Sequence, residues 1–177
     1  MSTFLHRTVG ATLLDRRVYE EVEADRSATG QALIVVVLSS AGGGISAAAL
    51  GAQTFGDIIV GMIASLVGWV AWAVLTYVIG THLLPEPQTR ADTGELLRTV
   101  GFASAPGILR IFAVIPVIGL PLYGLVWIWM LVTTVVAVRQ ALDYTSTARA
   151  VGVCVIGWAL AFVLAAVIAT VMAPGVT

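Results

Sequence analysis

The segment Pro116-Val117-Ile118-Gly119-Leu120-Pro121-Leu122-Tyr123-Gly124 decides how many times this chain crosses a bilayer. It sits inside one of four charge-free apolar runs: Ser27–Gly56, Ile58–Pro85, Ile111–Val138 and Ala150–Thr177, each 28 to 30 residues long. A membrane-spanning helix needs about 20 predominantly apolar residues, so each run is long enough for one crossing. Two prolines and two glycines within nine residues read as a turn rather than as the middle of a helix. The third run therefore splits. One crossing is expected from about Thr99 to Ile118, another from about Leu120 to Val138, and the total becomes five.

Arginine placement supports that count, because basic residues favour cytoplasmic loops. Five crossings gather Arg7, Arg16, Arg17, Arg26, Arg90, Arg98, Arg139 and Arg149 on one side. The opposite side, from Gln53 to Asp57, the Pro116–Pro121 turn and the C-terminal tail, has no arginine. Four crossings would strand Arg139 and Arg149 outside. The expected fold is thus an all-α, polytopic bundle of five transmembrane segments, with the N-terminus in the cytoplasm and the C-terminus outside. Residues 1–29 form a cytoplasmic arm, and residues 30–177 form a single transmembrane domain. The expected location is the cytoplasmic cell membrane.

Composition agrees and excludes several functions. Of 177 residues, 59% are hydrophobic and 11% charged, against about 25% charged in a soluble domain. All nine basic residues are arginine, which removes a Walker phosphate loop and any catalytic lysine. The net charge of -1 gives no basic footprint for nucleic acid. One cysteine, Cys154, and two separated histidines, His6 and His82, do not make a metal site. The stretch before the first run mixes five acids with four arginines, the wrong flank for a cleaved leader. No nucleophile elbow and no pair of carboxylates within one span is present, so neither an enzyme nor a cofactor is expected. An Arg-only, Ala-, Val- and Gly-rich chain points to a GC-rich prokaryotic source.

Within the arm, Leu14, Val18 and Val22 recur at helical spacing beside Tyr19, with Arg16, Glu20 and Glu23 opposite. A short helix over Leu13–Asp25 either lies in the membrane interface or packs on the underside of the bundle. Between the second and third spans, Pro85–Asp92 is a polar loop and Thr93 is placed to cap a helix starting near Gly94. Ala105-Pro106-Gly107 should kink or break that helix.

Arg110 is the most informative charge. An arginine deep in hydrocarbon costs about 2.5–3.5 kcal/mol on insertion scales and marks a functional-site hypothesis. The alternative is a half-helix that lets Arg110 snorkel to the cytoplasmic interface. Asp57 reads as the water boundary at the opposite edge. The Gly42-Gly43-Gly44 run sets up the small-xxx-small pairs Gly43/Ala47 and Gly44/Ala48, and the last span repeats the device at Gly157, Ala161, Ala165 and Ala169. These faces suit close helix packing, within the chain or with other membrane proteins. Trp69, Trp72, Trp127 and Trp129 fall near mid-span, away from the interfaces that tryptophan prefers. They either fill space or line an apolar pocket for a lipid tail, pigment or quinone.

Five crossings with Gly101-Phe102-Ala103-Ser104-Ala105-Pro106 opening the third resemble the Yip family of Ypt/Rab-interacting membrane proteins. The stretch Gly94–Pro106 and the arm Leu13–Gly30 are most similar to its prokaryotic branch. The Asp-Leu-Tyr-Gly-Pro element of eukaryotic members has no counterpart here, and their Gly-Tyr pair is Gly101-Phe102. The resemblance implies a membrane organiser without catalytic residues. Three functions are therefore carried forward. The first is a non-catalytic organiser or accessory subunit that contacts the lipid bilayer and other membrane proteins. The second is a small transporter or channel using Arg110, and the third a lipid- or pigment-binding protein.

Overall fold

The computed structural model describes residues 3–49 and 54–172, and among the described residues the regular structure is all helical, with no strand. In chain order the helices are α1 (Thr3–Thr12), α2 (Arg16–Ala24), α3 (Ala28–Ala49), α4 (Phe55–Val78), α5 (Thr93–Ala103), α6 (Gly119–Ala141) and α7 (Thr147–Met172). α4 runs on into a π-helical turn over Ile79–Leu83, and α5 into a 3₁₀ segment over Ala105–Val114. Five helices are long and apolar enough to cross a membrane: Ala28–Ala48, Phe55–Leu83, Thr93–Val114, Gly119–Ala141 and Thr147–Leu164. The proline-rich turn falls where the sequence places it. Residues Ile115–Ile118 connect two spans, and Pro121 sits in the first turn of α6, where its missing N–H has no helical partner to lose. Val117 adopts φ 74 in that turn.

The helix expected to start near Gly94 behind a Thr93 cap starts at Thr93 behind Asp92, and the third span counted from it begins ahead of the expected Thr99. Asp92 Oδ1 accepts from the Glu95 N–H at 2.9 Å, and Glu95 Oε2 accepts from the Asp92 N–H at 2.7 Å. This reciprocal box satisfies two otherwise orphaned donors. The break at Ala105-Pro106-Gly107 turns out to be a change of helix type. From Ala105 the chain winds as 3₁₀, which is tolerated at membrane depth only where protein surrounds it. Its first turn meets that condition: Ala105, Pro106 and Gly107 are buried, as is Ala113, while Leu109, Ile111, Phe112 and Val114 face outward as apolar side chains. The carbonyl of Ala103, freed by Pro106, is taken by the Thr133 hydroxyl of α6 at 2.7 Å. The carbonyl of Arg110 is taken by the Ser46 hydroxyl of α3.

Packing follows from this central position. α3 and α6 lie against α5 and its 3₁₀ extension, while α4 and α7 are outer helices. The exposed row Phe55, Val60, Ile63 and Val67 along α4 presents apolar side chains outward, as a lipid-facing surface must. α1, α2, the loop 84–92 and the turn 142–146 gather at one end of the bundle, here termed the arm face. The 115–118 turn and the start of α4 mark the far face. A clasp ties the arm-face loops together. Glu86 accepts from the N–H of Thr145 at 2.9 Å, the Thr145 hydroxyl at 2.8 Å and the N–H of Ser146 at 3.3 Å. Tyr144 donates to the carbonyls of Gly80 and Leu84 at 2.8 and 2.7 Å, beneath the π turn.

Candidate functional site

The arm is a helical hairpin rather than one short helix. α1 precedes the expected amphipathic segment, and the chain reverses at Leu14, which adopts φ 64. Asp15 then caps α2 by accepting from the Arg17 N–H at 3.0 Å. Val18, Tyr19 and Val22 are the apolar stripe read from the sequence, and all three are buried against the bundle. Leu14 is half-buried. Tyr19 donates to the Ala11 carbonyl at 3.1 Å, which closes the hairpin. Burial pushes its hydroxyl pKa upward.

Two arginines, Arg7 and Arg98, hold this hairpin together and dock it. Arg7, only 5% exposed, pairs with Glu21 and Asp25 of the same hairpin, each at 2.8 Å. It also reaches Gln31 of α3 at 3.3 Å. Arg98, 4% exposed, donates from α5 to the carbonyls of Val22 and Glu23 at the end of α2. Those are carbonyls that a helix terminus leaves without intrahelical partners, and a cation there also complements the helix dipole. Along α6, Gln140 donates to Glu20 at 3.2 Å and Trp129 donates to the Thr12 carbonyl at 2.8 Å. Gln140 and Trp129 lie 11 residues apart on α6, about 16 Å of helix rise. The hairpin tip therefore follows α6 inward from the arm face. On its outer side Leu5, Val9 and Leu13 are 47%, 41% and 66% exposed at i, i+4, i+8 spacing.

Glu23 sits in the acidic corner of this junction. Desolvation raises its carboxyl pKa to about 7, helped by the charges of Asp143, Glu95 and Glu20 and opposed by Arg98.

Arg110 lies in the other half of the bundle. Its backbone is level with Ser46 near the end of α3, and its side chain runs back along α3 to Ser39. Nη2 donates to the Ser39 carbonyl at 2.8 Å and to the Ser39 hydroxyl at 3.1 Å, and Nε donates to the Gly107 carbonyl at 3.1 Å. Ser39 is 11 residues into α3, about 16 Å along its axis. The guanidinium is thus held inside the bundle rather than at the arm face. A carbonyl cluster serves it, and no acidic side chain pairs with it among the described residues. Tyr123 of α6 lies with its ring centroid 6.0 Å from Cζ, within cation–π range. A cavity of about 280 Å³ opens beside it, lined by Ser40, Gly43, Asp57, Ser65 and Tyr123 among others.

A family model described as the Yip1 domain matches residues 11–168. The chain belongs to the Yip1 family. No match was found among curated proteins or solved structures. With five helices suited to a bilayer, this Yip1-family chain is a multi-pass membrane protein. The Yip1 family is not a known enzyme family, and among the described residues no three His, Cys, Asp or Glu side chains gather as a metal would require.

In this Yip1 chain, Gly101, Phe102 and Pro106 form the joint between α5 and its 3₁₀ extension. A Cβ on Gly101 would come within 2.7 Å of the Ala32 Cβ and 3.2 Å of the Trp69 ring, so only glycine lets α5 approach α3 and α4 this closely. Phe102 and Pro106 are buried beside it. The triglycine serves three different neighbours. A Cβ on Gly42 would meet the carbonyls of Ile108 and Gly107 at 3.0 and 3.2 Å, one on Gly43 the Arg110 guanidinium at 3.2 Å, and one on Gly44 the Ile58 side chain at 2.9 Å. Ala47 lines the Arg110 cavity, and Ala48 is half-buried. On α7, a Cβ on Gly157 would come within 2.9 Å of the Trp72 ring, whereas Ala161 is exposed on the bundle surface. The side chains of Ala165 and Ala169 lie outside the described residues.

The four tryptophans do not share a pocket. Trp69 is buried and donates to the Leu97 carbonyl at 3.0 Å. Trp72 stacks on Trp158 with ring centroids 5.9 Å apart. Trp127 is 51% exposed, and Trp129 holds the arm. Arg98 is the residue that sequence reasoning passed over. Its signal was present, since an arginine one turn inside a capped, otherwise apolar helix needs a partner.

Proposed function

We propose that this protein is a non-catalytic organiser of the cytoplasmic membrane, with its arm face in the cytoplasm. The α1–α2 hairpin acts as a wedge in the inner leaflet. The observation that carries this reading is the pair of contacts along α6, from Gln140–Glu20 to Trp129–Thr12, which set the hairpin tip well inside the level of the arm-face arginines. Leu5, Val9 and Leu13 then face acyl chains. Arg16 and Arg17, exposed just past the tip, have stems long enough to return to the headgroups. An element that takes up area in one leaflet and spans nothing widens that leaflet alone, so the protein favours curved bilayer. Small-residue faces such as Ala161 on the outer helix α7 suit contact with other membrane proteins.

Two measurements test this. A spin label at Leu13→Cys, in a Cys154→Ala background and in lipid nanodiscs, should be accessible to oxygen and shielded from an aqueous nickel chelate. Vesicles of phosphatidylethanolamine and phosphatidylglycerol should become smaller with the protein, and less so with Leu13→Asp. A water-exposed label, or equal vesicle sizes, refutes the wedge.

The transport reading draws on the Arg110 cavity. That cavity runs from Asp57 along α4 to Ser65, and one turn further Trp69 packs against Ala32 and Gly101. A dead end suits binding better than conduction.

A further inference from the structure

The cavity beside Arg110 is bordered by a cation and an anion that do not meet. Asp57 and Arg110 both line its approximately 280 Å³, and no ion pair joins them among the described residues. Each keeps unused bonding capacity directed at nothing else described. Arg110 donates through Nε and Nη2 to Gly107 and Ser39, while Nη1 has no hydrogen-bond partner among the described residues. Nη1 lies over Gly43, close enough that a Cβ there would come within 3.2 Å of it. Asp57 uses Oδ2 to accept from the Thr54 N–H at 2.8 Å and the Thr54 hydroxyl at 2.6 Å, leaving Oδ1 without a partner among the described residues. The Tyr123 hydroxyl, on a ring already against the guanidinium, is likewise unpaired among the described residues. A second cavity of about 630 Å³ adjoins the first through Ala47 and Tyr123, and its wall is mostly apolar: Ala113, Val114, Ile115, Pro116, Val117 and Leu120 among others.

The geometry points to a binding site for a small zwitterion of the aminophosphate type. Its phosphate oxygens accept from Nη1 of Arg110 and from the Tyr123 hydroxyl, and its ammonium group donates to Oδ1 of Asp57. An anion alone would bring its charge into a cavity that already holds a carboxylate. A cation alone would meet the guanidinium. A molecule carrying both satisfies the two ends at once, with Asp57 at the exposed rim and the half-buried Arg110 on the inner side, and both bonds are charge-assisted. Two sources share this chemistry: a free aminophosphate, and the headgroup of an aminophospholipid whose apolar part enters the adjoining cavity. The site is independent of the hairpin wedge and lies in the opposite half of the bundle.

The test is isothermal titration calorimetry on the full-length protein in maltoside micelles, which carry no charge. The probes are phosphoethanolamine, lyso-phosphatidylethanolamine, inorganic phosphate and ethanolamine. Phosphoethanolamine is expected to bind at least about tenfold tighter than phosphate or ethanolamine alone, as the loss of one charge-assisted bond implies. Arg110→Gln and Asp57→Asn should each weaken it by about tenfold or more. Should Arg110→Gln not fold, Tyr123→Phe leaves every contact of Arg110 with Ser39 and Gly107 in place and should still weaken phosphoethanolamine severalfold. Tighter binding of the lyso-lipid than of the free headgroup assigns the lipid source, and equal binding assigns the soluble one. The site is overturned if no probe binds. It is equally overturned if inorganic phosphate binds as tightly as phosphoethanolamine, or if Asp57→Asn leaves the affinity unchanged.

Discussion

Replacing Arg98 by leucine should release the arm while leaving the spans folded. Arg98 is 4% exposed and donates to the carbonyls of Val22 and Glu23, in the last turn of α2 before its cap at Asp25. Leucine keeps most of the apolar stem but abandons both carbonyls. Hydrogen bonds from a charged donor contribute about 1.5–3 kcal/mol each. The carbonyls can recover part of this from water once α2 lifts, and the bundle no longer holds a desolvated guanidinium. A net loss of about 3 kcal/mol for the docked hairpin follows, or about a hundredfold in its opening equilibrium. Hydrogen exchange of the variant in lipid nanodiscs reads this directly, because local opening sets amide exchange within each cooperative unit. Amides of residues 3–24 should exchange about a hundredfold faster, and those of α3 to α6 should keep their protection. Unchanged exchange in the arm would refute the assignment of Arg98 as its anchor. So would an equal loss throughout the bundle, which would make Arg98 a general stabiliser of the fold.

Glu86 is held at a pKa of about 2 by the Thr145 N–H first, and then by the Thr145 hydroxyl, the Ser146 N–H and Gln88. Because its folded pKa is depressed, its stabilising contribution is present above the unfolded value of about 4.5 and is lost as pH falls toward about 2. Thermal unfolding of Glu86→Gln should lack that acid-dependent part of the wild-type curve. Glu23 has the opposite sign. Its pKa is raised to about 7, so the folded state loses stability as pH rises from about 4.5 to about 7 and holds level above. Glu23→Gln should therefore gain about 1 kcal/mol at pH ~8 after allowance for solvent screening, and nothing at pH ~4, by chemical denaturation in detergent. Val117, a β-branched residue at φ 74 and 95% exposed, occupies a conformation open to glycine. Val117→Gly should raise stability by about 1 kcal/mol, and an unchanged or lower melting temperature would contradict this.

Four of the five spans were legible as long charge-free stretches, and the third followed from the Pro116–Gly124 turn, which splits one apolar run and leaves a crossing upstream of it. What the sequence concealed lies where polar groups meet inside the fold. Arg98 was read only as one of the cytoplasmic arginines, just ahead of a third span expected from Thr99. In the structure it lies within that span, on a helix that begins at Thr93 behind the Asp92–Glu95 box, and its charge is taken up by α2 carbonyls. α1 escaped notice because Thr and Gly dilute its apolar spacing, although Leu5, Val9 and Leu13 do recur every fourth residue. The two readings left open for Arg110 differed only in depth. The partner its guanidinium does take is Ser39, 71 residues away in sequence, through a contact no local pattern encodes. The small-residue faces were visible as faces, but nothing in their spacing said that Gly42, Gly43 and Gly44 would each serve a different neighbour.

The hairpin's resting place has a consequence for biogenesis. Apart from Gln31 of α3, the side chains that grip it, Arg98 on α5 and Trp129 and Gln140 on α6, are encoded well downstream of it. Chains are made from the N-terminus onward, so the hairpin leaves the ribosome when most of its receptor has not yet been translated. Through insertion of the first two spans it has only Gln31 of α3 to hold, and it comes to rest only after α6 has entered the bilayer. An element made ahead of the spans is thus among the last to reach its place, and a nascent chain stalled after α4 would display it largely bare.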